Sequence, residues 1–271
     1  MLLSIRHETV YRYTAPQVYT IQQLRLTPAA EPHQRVHSWH IDAAGKLNDI
    51  TDAYGNIAQM LTITGPHDEV RIVAGGVVEV MPLDRGRLLS ADKLSPLVYT
   101  VPTRLTEADE AVLELAASQL KPHAGRFGSD ALLALAEAIR GRVVYQGGVT
   151  GVTTSAANAL RLGAGVCQDH AHLFLACCRA HGIPARYVSG YIDAGDLSHV
   201  ESHAWADAWV EEDGFAGWVS IDITHARFSG EAHCRVAIGR DYDSAAPVRG
   251  VRTGSGLESL HVQVDVSSLH R

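Results

Sequence analysis

Residues 163–184 read GAGVCQDHAHLFLACCRAHGIP, and the position of Cys167 within them decides how the chain is read. Ala171, Phe174, Leu175 and Cys178 recur at helical spacing after it, the buried stripe of a helix. Gly182 and Pro184 supply the stop. Glycines 163 and 165 stand just before, so a close-approach turn leads into the helix with Cys167 in its first turn. There the unsatisfied backbone N–H groups and the positive end of the helix dipole favour a thiolate over a thiol. The same N–H groups can stabilise an oxyanion on an attacked carbonyl. A lone cysteine is by default a small core residue, so Cys167 needs partners before such chemistry is assigned to it. Cys177 and Cys178 lie mid-helix, where no such field acts, and Cys234 in EAHCRVAIG is similar; all three read as packing residues.

The partners are sought in residues 202–225, SHAWADAWVEEDGFAGWVSIDITH. His203, Trp205, Asp207 and Trp209 alternate with Ala204, Ala206, Ala208 and Val210, which is the period of a strand. A turn through EEDGFAG leads to a second strand, GWVSID. Paired as a hairpin, the two strands carry His203 and Asp222 toward the end far from the turn. Asp207 shares a strand face with His203 but stands over about 12 Å from it at ordinary rise, so Asp222 is preferred as the orienting acid. A strand-end aspartate also reads as a turn cap. His170 and His172 are two apart on the helix and cannot share a face, which favours core or solvent hydrogen bonding. His199 lies in a loop, and Asp169 is favoured in the first helical turn by the dipole alone. The chain has 15 histidines, but HExxH and CxxC are missing and the DHAH spacing does not suit a tetrahedral site, so neither metal nor cofactor is expected.

Working outward, 271 residues at 46% hydrophobic content suffice for packed cores. A net charge of −7 without runs of like charge argues against a nucleic-acid partner. The N-terminus lacks the pattern of a secretory leader, and no apolar run is long enough to span a membrane. Four cysteines without a CxxC pair suggest neither a zinc ribbon nor a disulfide framework, and a cytoplasmic setting is expected. Residues 1–82 carry short β-branched and aromatic segments at about ten-residue spacing, with DAYGN as a turn, and predict a sandwich or curled sheet. Proline-punctuated residues 83–105 read as a linker. From 106 onward helices appear: Thr106 and Asp109 resemble a capping box opening TEADEAVLELAASQL, and a second helix starts near Ser129.

Taken together, GVCQDHAHLFLACCRAHGIPARYVSGY, HAWADAWV and GWVSIDITH resemble the core of the transglutaminase-like superfamily, whose Cys, His and Asp motifs occur in this order. HETVYRY and DAYGN resemble the β-rich region that precedes this core in bacterial members, and IGRDYDSAAPVRGVRTGSG resembles their C-terminal signature. The resemblance implies an α+β, papain-like core of helices packed on an antiparallel sheet, spanning 106–271 with its C-terminal extension and preceded by an N-terminal β-sandwich-like domain. It makes Cys167 the nucleophile, His203 the general base and then acid, and Asp222 the orienting residue. His170 stands where such proteins often have an aromatic residue, Ile223 where proline is common, and Ala206, Asp207 and Ala208 make the HAW strand less bulky. The implied chemistry is acyl transfer on a peptide or other amide through a thioester. Water as acceptor makes a cysteine peptidase or amidase, and a lysine-like amine makes a transglutaminase. Hydrolysis is preferred because water is always present and no acceptor-binding feature is readable. The reading from another class is a non-catalytic binding module on the same scaffold.

Overall fold

The structure is a computed structural model, and it describes residues 1–89, 94–121, 127–193, 195, 202–212 and 214–269. His199 and linker residues 90–93 lie outside the described residues. In chain order the first elements are β1 (Leu2–Leu24), β2 (Gln34–Ala43), β3 (Lys46–Thr51), β4 (Ile57–Val80), α1 (Glu110–Gln119), α2 (Ser129–Arg142), β5 (Val144–Tyr145), α3 (Ala156–Leu162) and β6 (Ala164–Gly165). They are followed by α4 (Cys167–Ala180), β7 (Ala185–Ile192), β8 (His203–Glu212), β9 (Phe215–Asp222), β10 (Arg227–Phe228), β11 (His233–Gly239), α5 (Tyr242–Ala245), β12 (Val248–Gly254) and β13 (Glu258–Ser268).

The strand-rich N-terminal region is one antiparallel sheet in which β1 and β4 are neighbours along nearly their whole length. In place of short segments at ten-residue spacing, β1 runs through Pro16 and β4 through Gly65–Pro66 as single strands. The turn residues mark an irregularity instead: the pairing of β1 with β4 shifts register between Arg12 and Gln17. A proline removes a ladder donor without reversing the chain, and a bulge absorbs the mismatch. On its other side β1 is paired by two different strands, β13 along residues 3–13 and β12 along residues 17–24. The last strands of the chain therefore complete the N-terminal sheet and not the sheet of the core, which local sequence pattern had no means of showing.

The second sheet has the order β10-β9-β8-β7-β11, and helices pack on it. Apolar residues of α1, α2 and α4 form one core with Ala185 and Tyr187 of β7, Ala204, Ala206 and Ala208 of β8, and Val219 and Ile221 of β9. The alanines that thin out β8 let α4 approach the sheet. Every residue of α4 from Cys167 to Arg179 is buried, so the helix is central and not one-sided. Burying side chains such as Phe174 and Leu175 contributes about 1.5–3 kcal/mol each. Arg179, inside this core, donates to the Tyr99 and Ala185 carbonyls at 3.0 and 2.9 Å and to the Thr106 hydroxyl at 2.6 Å. That last contact corrects the expected cap. Thr106 belongs to a turn held by α4, and α1 is capped by Asp109, which accepts the Val112 N–H at 3.1 Å.

The two sheets meet along β11, an edge strand whose open backbone groups need partners. Gln34 accepts the Arg235 N–H at 2.8 Å and donates to the Arg235 carbonyl at 2.9 Å. Asn56 does the same for Ile238, at 2.8 Å in both directions. Buried His7 on β1 contacts the Tyr191 hydroxyl on β7 at 2.9 Å.

Candidate active site

The start of α4 is built by a close backbone approach. A Cβ on Gly165 would stand 2.6 Å from Asp169 Oδ2, so only glycine leaves room for this carboxylate to fold back. Asp169 accepts the Val166 N–H at 2.8 Å and the Thr150 hydroxyl at 2.6 Å. It serves the end of its own helix, as the dipole argument expects. Cys167 is the first residue of α4, where the leading N–H groups have no intrahelical partner.

His203 opens β8 and Asp222 closes β9. The hairpin register sets Ala206 opposite Ile221, which carried one step on makes Asp222 a diagonal neighbour of His203 on the same face. His203 Nε2 lies 3.1 Å from Asp222 Oδ2. The ring is turned off the line a hydrogen bond would want, so Nε2 has no well-aligned partner. Cys167, at the start of α4, acts on the same imidazole and helps to raise its pKa. The structure thus brings Cys167, His203 and Asp222 together from three elements, with relative exposures of 9%, 6% and 0%.

Electrostatics follow from that burial. Desolvation alone would lower the His203 pKa, but the Asp222 carboxylate and then Cys167 override it and raise it to about 10. For Asp222, desolvation pushes upward, and contacts with His203, His225 and His233 hold the carboxyl well below the usual range. Two of those histidines escape the sequence reading. His225 Nδ1 donates to Asp222 Oδ2 at 2.7 Å, and its backbone N–H donates to Oδ1 at 3.2 Å. An aspartate at a strand end, able to hold its own following turn, is the local signal that could have found it. His233 Nε2 donates to the same Oδ2 at 3.0 Å from the start of β11, and no local signal announces it.

The competing candidates are occupied elsewhere. Asp207 accepts from Arg186 Nε at 2.8 Å and from Arg235 Nη1 and Nη2 at 2.9 and 2.8 Å. Those guanidiniums keep it well below the usual carboxylate range despite complete burial. His170 donates from Nε2 to the Val143 carbonyl at 2.9 Å, which leaves Nδ1 to accept the Thr224 hydroxyl at 3.0 Å. His172 accepts the Tyr242 N–H at 3.1 Å, and burial lowers its pKa to about 3. Burial pushes the Cys177 thiol up to about 12 and raises Cys178 and Cys234 as well. Trp205 packs 5.9 Å from the His203 ring and donates its indole N–H to Ser220 at 3.0 Å. Its place depends on Gly190, where a Cβ would meet the ring at 2.6 Å.

Among the described residues, His203, Asp222 and His225 are the group whose ligand atoms come within 4.8 Å of one another, as a metal would require. Ring nitrogens of His203, His225 and His233 lie 2.7–3.1 Å from one Asp222 oxygen, the latter two in hydrogen bonds, and the arrangement reads as a cage around an anion.

The family model of the transglutaminase-like superfamily matches residues 114–223, and that of the bacterial transglutaminase-like N-terminal region matches residues 3–79. An uncharacterized protein of Mycobacterium leprae is 32% identical over 98% of this chain and 99% of its own length. The chain belongs to the transglutaminase-like superfamily. An uncharacterized protein of Mycobacterium tuberculosis is 31% identical over 97% of this chain and 91% of its own. This superfamily member also shares its fold with a Cytophaga hutchinsonii crystal structure provisionally named a cysteine protease, at a TM-score of 0.78 and 22% identity, covering 100% of this chain and 91% of the other. The matched core segment contains Cys167, His203 and Asp222.

Proposed function

We propose that this protein cleaves amide bonds through a thioester on Cys167, with water as the acceptor. The observation that carries the reading is the meeting of a helix-start thiol and a buried carboxylate on one imidazole, that of His203. With Nε2 turned to Asp222, Nδ1 is the nitrogen left to take the thiol proton. The sulfur attacks the amide carbonyl carbon, and the N–H groups at the start of α4 stabilise the oxyanion. As the C–N bond breaks, His203 returns its proton to the leaving amine. A water molecule, deprotonated in turn by His203, then breaks the thioester to give a carboxylic acid and the free thiol. Asp222 holds the imidazole and offsets its positive charge.

The net charge of −7 supports a peptide or other amide as substrate over a nucleic acid. No helix among the described residues is long and apolar enough to cross a membrane, and all four cysteines are free thiols, which supports a reducing, cytoplasmic place of action.

The test is incubation with a panel of amide and peptide substrates, with and without a primary amine, followed by mass analysis. Free acid that forms without amine and is lost in Cys167→Ala is the expected result. Product that tracks amine concentration makes the protein a transglutaminase, and no product at all leaves a binding module on this scaffold.

A further inference from the structure

We infer that His233 is a positioning residue that aims the Asp222 carboxylate at His203. The inference rests on the reaction proposed above and goes beyond its three residues.

The direction of Asp222 is not set by the histidine it faces, because the contact at His203 Nε2 is close but poorly aligned. Something else must hold the carboxylate. His225 contributes two contacts, but it belongs to the same turn as Asp222, moves with it, and has a side chain 31% exposed. His233 comes from a different strand and is buried. Its ring stands edge-on to Trp205 with centroids 5.4 Å apart, so packing fixes its plane.

Hydrogen bonding fixes its protons. The Gly230 N–H donates to His233 Nδ1 at 3.2 Å, which makes Nδ1 an acceptor and leaves the ring hydrogen on Nε2. That hydrogen points to Asp222 Oδ2 at 3.0 Å. Protonating Nδ1 would set two donors against each other, and burial also disfavours the charged ring. His233 is therefore a neutral donor locked in one tautomer. It pins Oδ2 in place while His203 passes its proton between thiol, leaving amine and water. Without it the carboxylate is held only from its own turn, by His225, and small misplacements of a catalytic group cost up to about a hundredfold in rate.

The test compares His233→Gln, which keeps an N–H donor near the position of Nε2, with His233→Leu, which removes it. The readouts are kcat and KM on an amide substrate and, independently of any substrate, the rate at which iodoacetamide alkylates Cys167 at neutral pH. The expected result for Leu is a loss of about ten- to a hundredfold in kcat with KM within about twofold, and alkylation slowed in parallel. Gln should stay within a few-fold of the native protein in both. A folded Leu variant with native kcat and native alkylation overturns the inference, and so does an equal loss in Gln and Leu, which would mean packing alone. In the native protein, 15N NMR of the imidazoles should show His233 neutral with its proton on Nε2; a proton on Nδ1 overturns the inference even if Leu does not fold. If the native protein cleaves no amide, the proposed reaction fails while alkylation and NMR still judge His233.

Discussion

Asp207 and Asp222 are fully buried carboxylates on adjacent strands of one sheet, and their charges are offset by opposite kinds of partner. Two guanidiniums hold Asp207, and three imidazoles gather on Asp222. Arginine does not give up its proton in a protein, so the first cluster is a fixed tie between strands. Imidazole does exchange protons near neutrality, so the second can take part in a reaction.

Asp207→Asn should therefore destabilise the fold by about 3–5 kcal/mol, because it removes the buried carboxylate that Arg186 and Arg235 share. Denaturant unfolding measures the loss. A change under about 1 kcal/mol would mean that other groups already neutralise these arginines.

The four thiols should separate by reactivity. Iodoacetamide under native conditions should label Cys167 and spare Cys177, Cys178 and Cys234, whose thiols burial keeps protonated. Peptide mapping after a short pulse reads the outcome. His203→Ala should slow labelling of Cys167 and lower kcat/KM by about 10²–10⁴-fold, the usual contribution of a positioned base. Labelling of Cys177 ahead of Cys167 would count against the thiol chemistry.

His203 should remain an imidazolium through neutral pH and lose its proton only on the alkaline side, toward about 10. Its raised value means that its contribution to stability is fully present below 6.5 and lost as pH rises through about 10. NMR titration of the native protein should show this. In Cys167→Ala the midpoint should fall, since hydrogen bonding and charge from Cys167 are among its causes. An unchanged midpoint would mean that Asp222 alone governs the ring.

Stability should also fall on the acid side. Burial lowers His7 to about 4 and His172 to about 3, so between pH 6.5 and those values the unfolded chain binds protons that the native protein refuses. Each contributes about 1.4 kcal/mol of lost stability per pH unit in that window, or about 4 kcal/mol for the pair at pH 5. Unfolding in urea at pH 7 and pH 5 tests the sum. His7→Gln should reduce the pH dependence, because that residue then no longer titrates.

The sequence by itself determined the helix that starts at Cys167, the hairpin that carries His203 and Asp222, and the strand character of the N-terminal region. Each is a matter of local period: helical spacing from Ala171 to Cys178, alternation from His203 to Val210, and glycine placement before Cys167. Segments whose character is set by near neighbours are legible in a line of letters. Tertiary structure alone decided what depends on distant partners. It carried β1 straight through Pro16, because β12 and β13 supply a second edge from the far end of the chain. It buried all sides of α4 and took Thr106 away from α1 by means of Arg179. It also placed His233 on Asp222 across a separation of 11 residues and two strands' ends. Hydrogen bonds and buried charge act through space and carry no period along the chain, so the cage around Asp222 became visible only once the strands were in place.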